Sequence, residues 1–140
     1  MILSRRWRHR LAVLEALALM LVLRAGVALL PVAWVLPGMT PPLRGAVAPD
    51  ARQRQAARQI GQAVQAADRR LPFLIPCLPQ ALAARLMLKR RGIPCILHLG
   101  TGRSAAGALT AHAWLTCGPD GVCGLRESAD HQEVARFSWP

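Results

Sequence analysis

The fold is decided by the stretch Pro76-Cys-Leu-Pro-Gln-Ala-Leu-Ala-Ala-Arg-Leu-Met-Leu-Lys-Arg-Arg-Gly-Ile-Pro94. A residue that precedes a proline avoids the α region, so the chain leading to this stretch is extended. The second proline suits the first turn of a helix, and the Ala and Leu residues after it favour continuation. Gly92 ends the helix after three basic residues. The stretch therefore predicts a helix over Pro79–Arg91, with Cys77 directly ahead of its N-terminus.

Downstream of this helix, two segments have a β-type composition, Cys95–Gly100 and Ala111–Cys117. The Thr101–Leu109 segment between them is a loop of small residues. Gly118-Pro-Asp-Gly121 is a strong turn signal, after which Val122–Ser128 can return as a third strand. The tail shows no clear pattern. Helices followed by an antiparallel sheet indicate the α+β class.

Upstream, the sequence divides into an apolar part and a polar part. Leu3–Leu30 predicts a helix, and the Pro- and Gly-rich segment Val35–Asp50 predicts a loop. Asp50 can cap a further helix, Ala51–Leu71, which has one modest apolar stripe. We therefore expect an apolar helical segment and loop at 1–50 and the core at 51–140, the two forming one compact unit.

The composition narrows the class of protein. The chain has 140 residues, of which 53% are apolar, and this suits a single folded domain. Its formal net charge of +11 comes almost wholly from arginine. Such a charge suggests an acidic partner, a nucleic acid or an anionic membrane surface, although GC-rich coding would inflate arginine in the same way. No helix-turn-helix, zinc motif or aromatic platform supports nucleic-acid binding, so we expect none.

The N-terminal helix raises the question of a membrane. Its apolar part follows four arginines: Arg5, Arg6, Arg8 and Arg10. Glu15 and Arg24 interrupt the apolar stretch Leu11–Pro37, so it contains no run of about 18 uncharged residues. A transmembrane anchor, an interfacial or partner-binding helix, and packing on the domain all stay open. We expect a cytoplasmic protein, with membrane-surface contact as an open alternative.

Cys77 and His112 are the candidate catalytic residues. A thiol at a helix N-terminus lies near unpaired N–H groups and the positive end of the helix dipole, which favour the thiolate. In Ala111-His-Ala-Trp-Leu115, His112 and Trp114 share one face of a strand. An imidazole facing such a thiol takes its proton and returns it to the leaving amine, as in papain-like and transglutaminase-like folds. A buried structural cysteine and a packed histidine are the alternative interpretation.

The same residues carry a resemblance to a known family. The stretch from Pro76 to Pro94, then Leu97-His-Leu-Gly100, then Ala111-His-Ala-Trp-Leu115, resembles the transglutaminase-like core of lasso-peptide leader peptidases. The resemblance covers Arg70 to Gly124, and Leu29-Leu-Pro31 in the apolar helix is also similar. It implies N-terminal apolar helices followed by a transglutaminase/papain-like core, in which the Cys-bearing helix packs on a small antiparallel sheet.

The resemblance also implies an activity and partners. The activity is that of a cysteine peptidase that removes the leader from a ribosomally made lasso-peptide precursor, with Cys77 and His112 as its dyad. The partners are the precursor, a leader-recognition protein and an ATP-dependent macrocyclase. Because nothing precedes the apolar helix, we expect the leader-recognition protein to be a separate chain. We expect no cofactor and no metal, since the Cys and His residues lack the spacing of a zinc site and no P-loop is present.

The sequence departs from this family at the third catalytic residue. The family commonly has Asp about a dozen residues after the His, and that position here is Gly124. If Pro119-Asp120 forms the hairpin tip, His112 lies opposite Glu127, whose carboxylate could orient the imidazole. Asp120 is the alternative, although Asp is common in turns for conformational reasons. A backbone carbonyl in this role, or a dyad without a third member, is also open.

A rival interpretation and two smaller expectations accompany the peptidase hypothesis. The chain could be a membrane-associated, non-catalytic adaptor of a peptide-modifying complex, in which Cys77 has no chemical role. His98 is expected to pack near the site rather than react. Cys117 and Cys123 flank the predicted turn, so a disulfide across it is conceivable.

Overall fold

The structure, a computed structural model, describes residues 4–31 and 48–138. Four helices and four strands follow one another in these ranges. They are α1 (Arg5–Leu29), α2 (Ala51–Arg69), α3 (Cys77–Arg90), β1 (Ile96–Arg103), β2 (Leu109–Cys117), β3 (Asp120–Cys123), α4 (Leu125–Ser128) and β4 (Gln132–Phe137). Most of the predicted loop Val35–Asp50 lies outside the described residues.

The ends of α2 and α3 follow from local sequence. Asp50 caps α2 as predicted: its carboxylate accepts from the Gln53 N–H, and the Gln53 side chain accepts from the Asp50 N–H. Pro76 is the N-cap of α3, so Cys77 is the first helical residue. After the last turn, Gly92 has a φ of +66°, a conformation that favours glycine. The helix therefore begins two residues earlier than expected and ends at Arg90, one residue before the expected end.

The apolar helix α1 packs against both α2 and α3. Val13, Ala16 and Met20, which lie on one side of α1, are fully buried. Glu15 receives hydrogen bonds from Arg90 and Arg91 at the C-terminal end of α3. One face of α1 is therefore part of the core.

The four strands form one antiparallel sheet in the order β3-β2-β1-β4. Alternate residues of β2, namely Ala113, Leu115 and Cys117, join the apolar core that the helices cover. Helix α3 contacts β2 directly, the strand that carries His112. The expected α+β fold, with the Cys-bearing helix packed on a small antiparallel sheet, is confirmed.

The third strand is shorter than predicted. Cys117 pairs with Asp120, which puts the hairpin tip at Gly118 and Pro119 and not at Pro119-Asp120. β3 ends at Cys123, because Gly124 takes a left-handed conformation with φ +72° and turns the chain into α4. The predicted strand over Val122–Ser128 and its register are therefore wrong.

Two smaller differences concern the same end of the chain. Cys123 pairs with Leu115 and not with Cys117, and both thiols are free, so the conceivable disulfide is not formed. The tail, which shows no clear sequence pattern, contains β4, and this strand pairs with β1.

Candidate active site

Cys77 lies at the N-terminus of α3, beside the part of β2 that does not pair with β3. Its Sγ accepts a hydrogen bond from the backbone N–H of Ala113, with an S–N distance of 3.4 Å. The Gln80 side chain donates to the carbonyl of Ile75, 2.8 Å away, and so fastens the extended segment to the first turn of α3. The thiol is partly exposed. It therefore combines access to solvent with a position at the N-terminus of a helix.

The other three cysteines lie in the core or against it. Burial raises the pKa of the Cys95 and Cys123 thiols to about 12, and burial also raises the pKa of Cys117. These thiols stay protonated at neutral pH, and a protonated thiol is a poor nucleophile. Of the four cysteines, Cys77 is the one suited to attack a carbonyl.

His112 is held by a backbone carbonyl. Its Nε2 lies 2.7 Å from the oxygen of Gly124, the residue at which the chain leaves β3. A carbonyl oxygen can only accept, so Nε2 must carry the proton. In the neutral imidazole, Nδ1 is then the atom with the free electron pair, the one at which the ring can accept a proton. The hydrogen bond thus selects one tautomer and fixes one edge of the ring.

The Cys77 thiol contacts the segment of β2 that carries His112. The thiol accepts from the amide of Ala113, which follows His112 directly in the chain. Gly124 lies beside both: a Cβ built on it would be 2.8 Å from the Ala113 oxygen and 3.0 Å from His112 Nε2. Because β3 ends at Cys123, this segment of β2 has no strand partner on that side, and α3 takes its place.

A row of aromatic rings surrounds His112 on the sheet face opposite Ala113 and Leu115, which point into the core. Trp114 stacks on both His112 and His98, with centroid distances of 5.8 and 5.4 Å. This confirms that His112 and Trp114 share a face. His131 also contacts His112, at a centroid distance of 5.1 Å. The His112 ring is therefore restrained by neighbouring rings as well as by Gly124.

The outer members of this row are themselves fixed by hydrogen bonds. His98 contacts Glu133 through Nδ1 and Thr116 through Nε2, at 2.5 and 2.8 Å. It is 9% exposed, in keeping with its predicted packing role. His131 donates from Nδ1 to the carbonyl of Glu127 over 2.8 Å. These contacts hold the rings in place from β2, β4 and α4.

Neither Glu127 nor Asp120 is hydrogen-bonded to His112, whose partner is the Gly124 carbonyl. Glu127 lies on α4 with an exposed side chain, and the cross-strand pairing that pointed to it is absent. Asp120 forms an ion pair with Arg58 of α2, 2.7 Å long, at the other end of β3. A catalytic role for either carboxylate stays a prediction, and the observed partner of His112 is the Gly124 carbonyl.

Two residues of the site were not assigned from the sequence. The absence of a side chain at Gly124, where the family has Asp, was the signal that left a backbone carbonyl as an option. His131 gave no signal, because its contact with His112 depends on the turn of α4, which was predicted as a strand.

Comparison with known proteins identifies this arrangement. The model of the transglutaminase-like superfamily matches residues 17–137, which include all four strands, α2 to α4 and the second half of α1. The chain belongs to the transglutaminase-like superfamily. Members of this superfamily are in general cysteine peptidases and transglutaminases. No curated protein and no solved structure gave a match.

Membership agrees with the geometry of the site. Enzymes of this chemistry need a thiolate and a neighbouring imidazole of defined tautomer. The superfamily supports a cysteine-peptidase-like fold, and it leaves open which acyl group and which acceptor the enzyme uses.

Proposed function

We propose that this member of the superfamily is a cysteine peptidase that removes the leader from a lasso-peptide precursor. The observation that carries the peptidase proposal is the position of the Cys77 sulfur at the N-terminus of α3, 3.4 Å from the amide of the residue after His112. The choice of substrate is supported by the resemblance of the Pro76–Pro94 and Ala111–Leu115 stretches to the lasso-peptide leader peptidases.

The first half of the reaction transfers the acyl group to sulfur. His112 Nδ1 takes the thiol proton, and the Cys77 thiolate attacks the carbonyl carbon of the scissile peptide bond. The tetrahedral intermediate collapses as the C–N bond breaks, and the imidazolium gives its proton to the leaving amine. The part of the precursor after the scissile bond departs, and the leader stays bound as a thioester of Cys77.

The second half restores the enzyme. His112 Nδ1 removes a proton from water, and the resulting hydroxide adds to the thioester carbonyl. The C–S bond breaks, the leader leaves with a free carboxylate, and the sulfur recovers its proton from the imidazolium. Throughout, the Gly124 carbonyl accepts from Nε2–H and stabilises the positive charge on the ring, the role that a carboxylate has in many triads.

A cleavage assay with matched cysteine variants tests the proposal. The full chain, the precursor and the leader-recognition protein are incubated together, and the products are identified by mass spectrometry. Cys77→Ala should abolish release of the leader, whereas Cys95→Ala should retain most of the rate, because its thiol is protonated and packed against the core. An active Cys77→Ala enzyme would contradict the peptidase proposal.

The proposed partners give a second assay. With a separate leader-recognition protein, cleavage should be much faster than without it, because tethering raises the local precursor concentration to about the millimolar range. Adding the ATP-dependent macrocyclase should then yield the cyclised core peptide. Equal cleavage rates with and without the recognition protein would show that the chain binds the leader by itself.

A membrane-associated adaptor is the second candidate, and the exposed apolar face of α1 favours it. By length and composition α1 could cross a membrane, with a mean hydropathy of 2.1 over 18 residues. An adaptor tolerates Cys77→Ala in reconstituted peptide maturation, and a peptidase does not. The same variant therefore separates the two functions.

A further inference from the structure

Helix α1 has an exposed face that is apolar along most of its length. Its large side chains are strongly exposed: Trp7 55%, Leu11 49%, Leu14 59%, Leu21 42%, Val22 69% and Leu29 81%. With 3.6 residues per turn, these positions fall within an arc of about 100° on one side of the helix. We call these six residues the apolar stripe. It is a much larger exposed apolar surface than scattered single residues make.

The opposite side of α1 is held in the domain. Val13, Ala16 and Met20 are fully buried there. Glu15 forms ion pairs with Arg90 and Arg91, at 2.7 and 3.0 Å. The Arg24 guanidinium lies over the Phe73 ring, 4.5 Å from its centroid. A helix fastened in this way cannot leave the domain to span a bilayer without breaking these contacts, whereas the stripe remains accessible on the outside.

Basic side chains accompany the stripe at its N-terminal end. Arg5, Arg6, Arg8 and Arg10 are all exposed, and none of them forms an ion pair within residues 4–31 and 48–138. All four line a cleft of about 1520 Å³ between α1 and α2, which Arg70 and Arg91 also line. Arg10 lies over the ring of Trp7, at 5.5 Å from the centroid. A dense positive charge therefore lies beside the apolar stripe.

We propose that α1 binds the surface of an anionic lipid bilayer while it stays packed on the domain. The apolar stripe enters the boundary between headgroups and acyl chains, and the arginines contact the anionic headgroups. An interfacial helix needs an apolar face together with a basic polar margin, and α1 has both. Arginine stems can lie along the apolar surface while their guanidinium groups reach the phosphates.

The distribution of charge on α1 favours a lipid bilayer over another protein as its binding partner. Apart from Arg24, the exposed positions of α1 from Leu11 to Leu29 carry no charge or hydrogen-bonding side chain that would fix the register of another protein. A bilayer needs no register, and its negative surface complements the arginines without specific pairing. The proposal is independent of the peptidase function, because it uses no residue of the Cys77 site.

Vesicle flotation of the full chain tests the proposal. Phosphatidylcholine vesicles, with and without a minority of phosphatidylglycerol, are compared at about 0.1 M and about 1 M salt, which screens exposed charges. We expect binding to the anionic vesicles at low salt, and much weaker binding to neutral vesicles or at high salt. Cys77→Ala should bind as the unaltered chain does, so that membrane binding is scored separately from cleavage.

Matched variants assign the binding to α1. Replacing Arg6 and Arg10 by Gln should weaken anionic binding by about fivefold for each arginine, whereas the same change at the exposed Arg52 and Arg69 of α2 should have little effect. Leu14→Asp on the stripe should weaken it by about tenfold or more, compared with Gln65→Asp on the exposed side of α2. Circular dichroism checks that each variant is folded.

Four results would overturn the proposal. They are no binding to either vesicle, equal binding to neutral and anionic vesicles, membrane recovery from cells that resists both salt and carbonate, and a soluble dimer that Leu14→Asp dissociates. The third result would indicate a spanning anchor, and the fourth would indicate that a second copy of the chain covers the stripe.

Discussion

The two halves of β2 differ in what lies at their outer edge. From Leu115 to Cys117 the strand pairs with β3. The Cys117 thiol of this half and the Cys123 thiol of β3 are buried and protonated. Ahead of Leu115 the edge is free of β3, and there the Cys77 thiol and the Gly124 carbonyl approach Ala113 and His112. The candidate site is therefore formed at the point where β3 ends. One glycine with φ +72° ends β3 and supplies the hydrogen-bond acceptor for the His112 imidazole.

The largest expected effect separates two residues on the same face of β2. His112→Ala, in the open half, should lower the rate by about 10²- to 10⁴-fold, because the thiol loses its base. Thr116→Ala, in the paired half, removes one hydrogen bond to His98 and should cost about 1 kcal/mol of stability with little loss of rate. Steady-state kinetics and thermal unfolding of both variants check this. Equal losses of rate would mean that His112 is structural.

The thiols of the two halves should also differ in reactivity. At neutral pH, iodoacetamide should modify Cys77 in the folded protein and leave Cys95, Cys117 and Cys123 unmodified, because their raised pKa values keep them protonated. In denaturant all four cysteines should react at similar rates. Peptide mapping by mass spectrometry gives the site and the order of labelling. Rapid labelling of Cys123 in the folded protein would contradict the distinction between the halves.

Alanine at Gly124 and at Gly92 tests the part of β2 that does not pair with β3. Both Gly124 and Gly92 have positive φ, so alanine at either costs about 1 to 2 kcal/mol of backbone strain. A Cβ at Gly124 would press on the Ala113 oxygen and on His112 Nε2, whereas nothing lies within 4 Å of one at Gly92. Gly124→Ala should therefore also lower the rate, by about 10²-fold for a displacement of about 1 Å.

Gly92→Ala serves as the control for that comparison. Its thermal unfolding should shift about as much as backbone strain alone requires, and its cleavage rate should stay near that of the unaltered protein. If Gly124→Ala loses no more activity than Gly92→Ala, the carbonyl contact does not position His112.

The smallest effects concern the two carboxylates. The register expected from the sequence puts Glu127 opposite His112, and on that register Glu127→Gln would lower the rate more than Asp120→Asn. The hairpin does not have this register. With the Gly124 carbonyl on Nε2, both variants should stay within a few-fold of the unaltered rate. Asp120→Asn should in addition lose an exposed pair with Arg58, worth at most about 1 kcal/mol. A large loss for Glu127→Gln would restore a carboxylate to the mechanism.

The features that could be predicted from the sequence are those that depend on local contacts. Prolines before Cys77, the Ala- and Leu-rich turns after it and Gly92 set the position of α3, and the capping box at Asp50 set that of α2. The alternation in β2 correctly put His112 and Trp114 on one face. These features depend on residues within a few positions of one another.

The errors arose where a contact depends on a turn of uncertain register. Shifting the hairpin tip by one residue changes every pairing across β2 and β3, and with it the residue expected opposite His112. The contact of His131 with His112, and the pairing of β4 with β1, bring together residues that are distant in sequence. The composition of the tail contains no signal for such contacts.

The most direct test of the central claim is to capture the acyl-enzyme. The full chain is mixed with precursor and leader-recognition protein, quenched in acid within the first turnover, and analysed by intact-mass and peptide-mapping mass spectrometry. The account predicts a thioester on Cys77 whose added mass is that of the leader acyl group, with the remainder of the precursor already released. Leader removal with no adduct on Cys77, in a protein that still cleaves after Cys77→Ala, would contradict it.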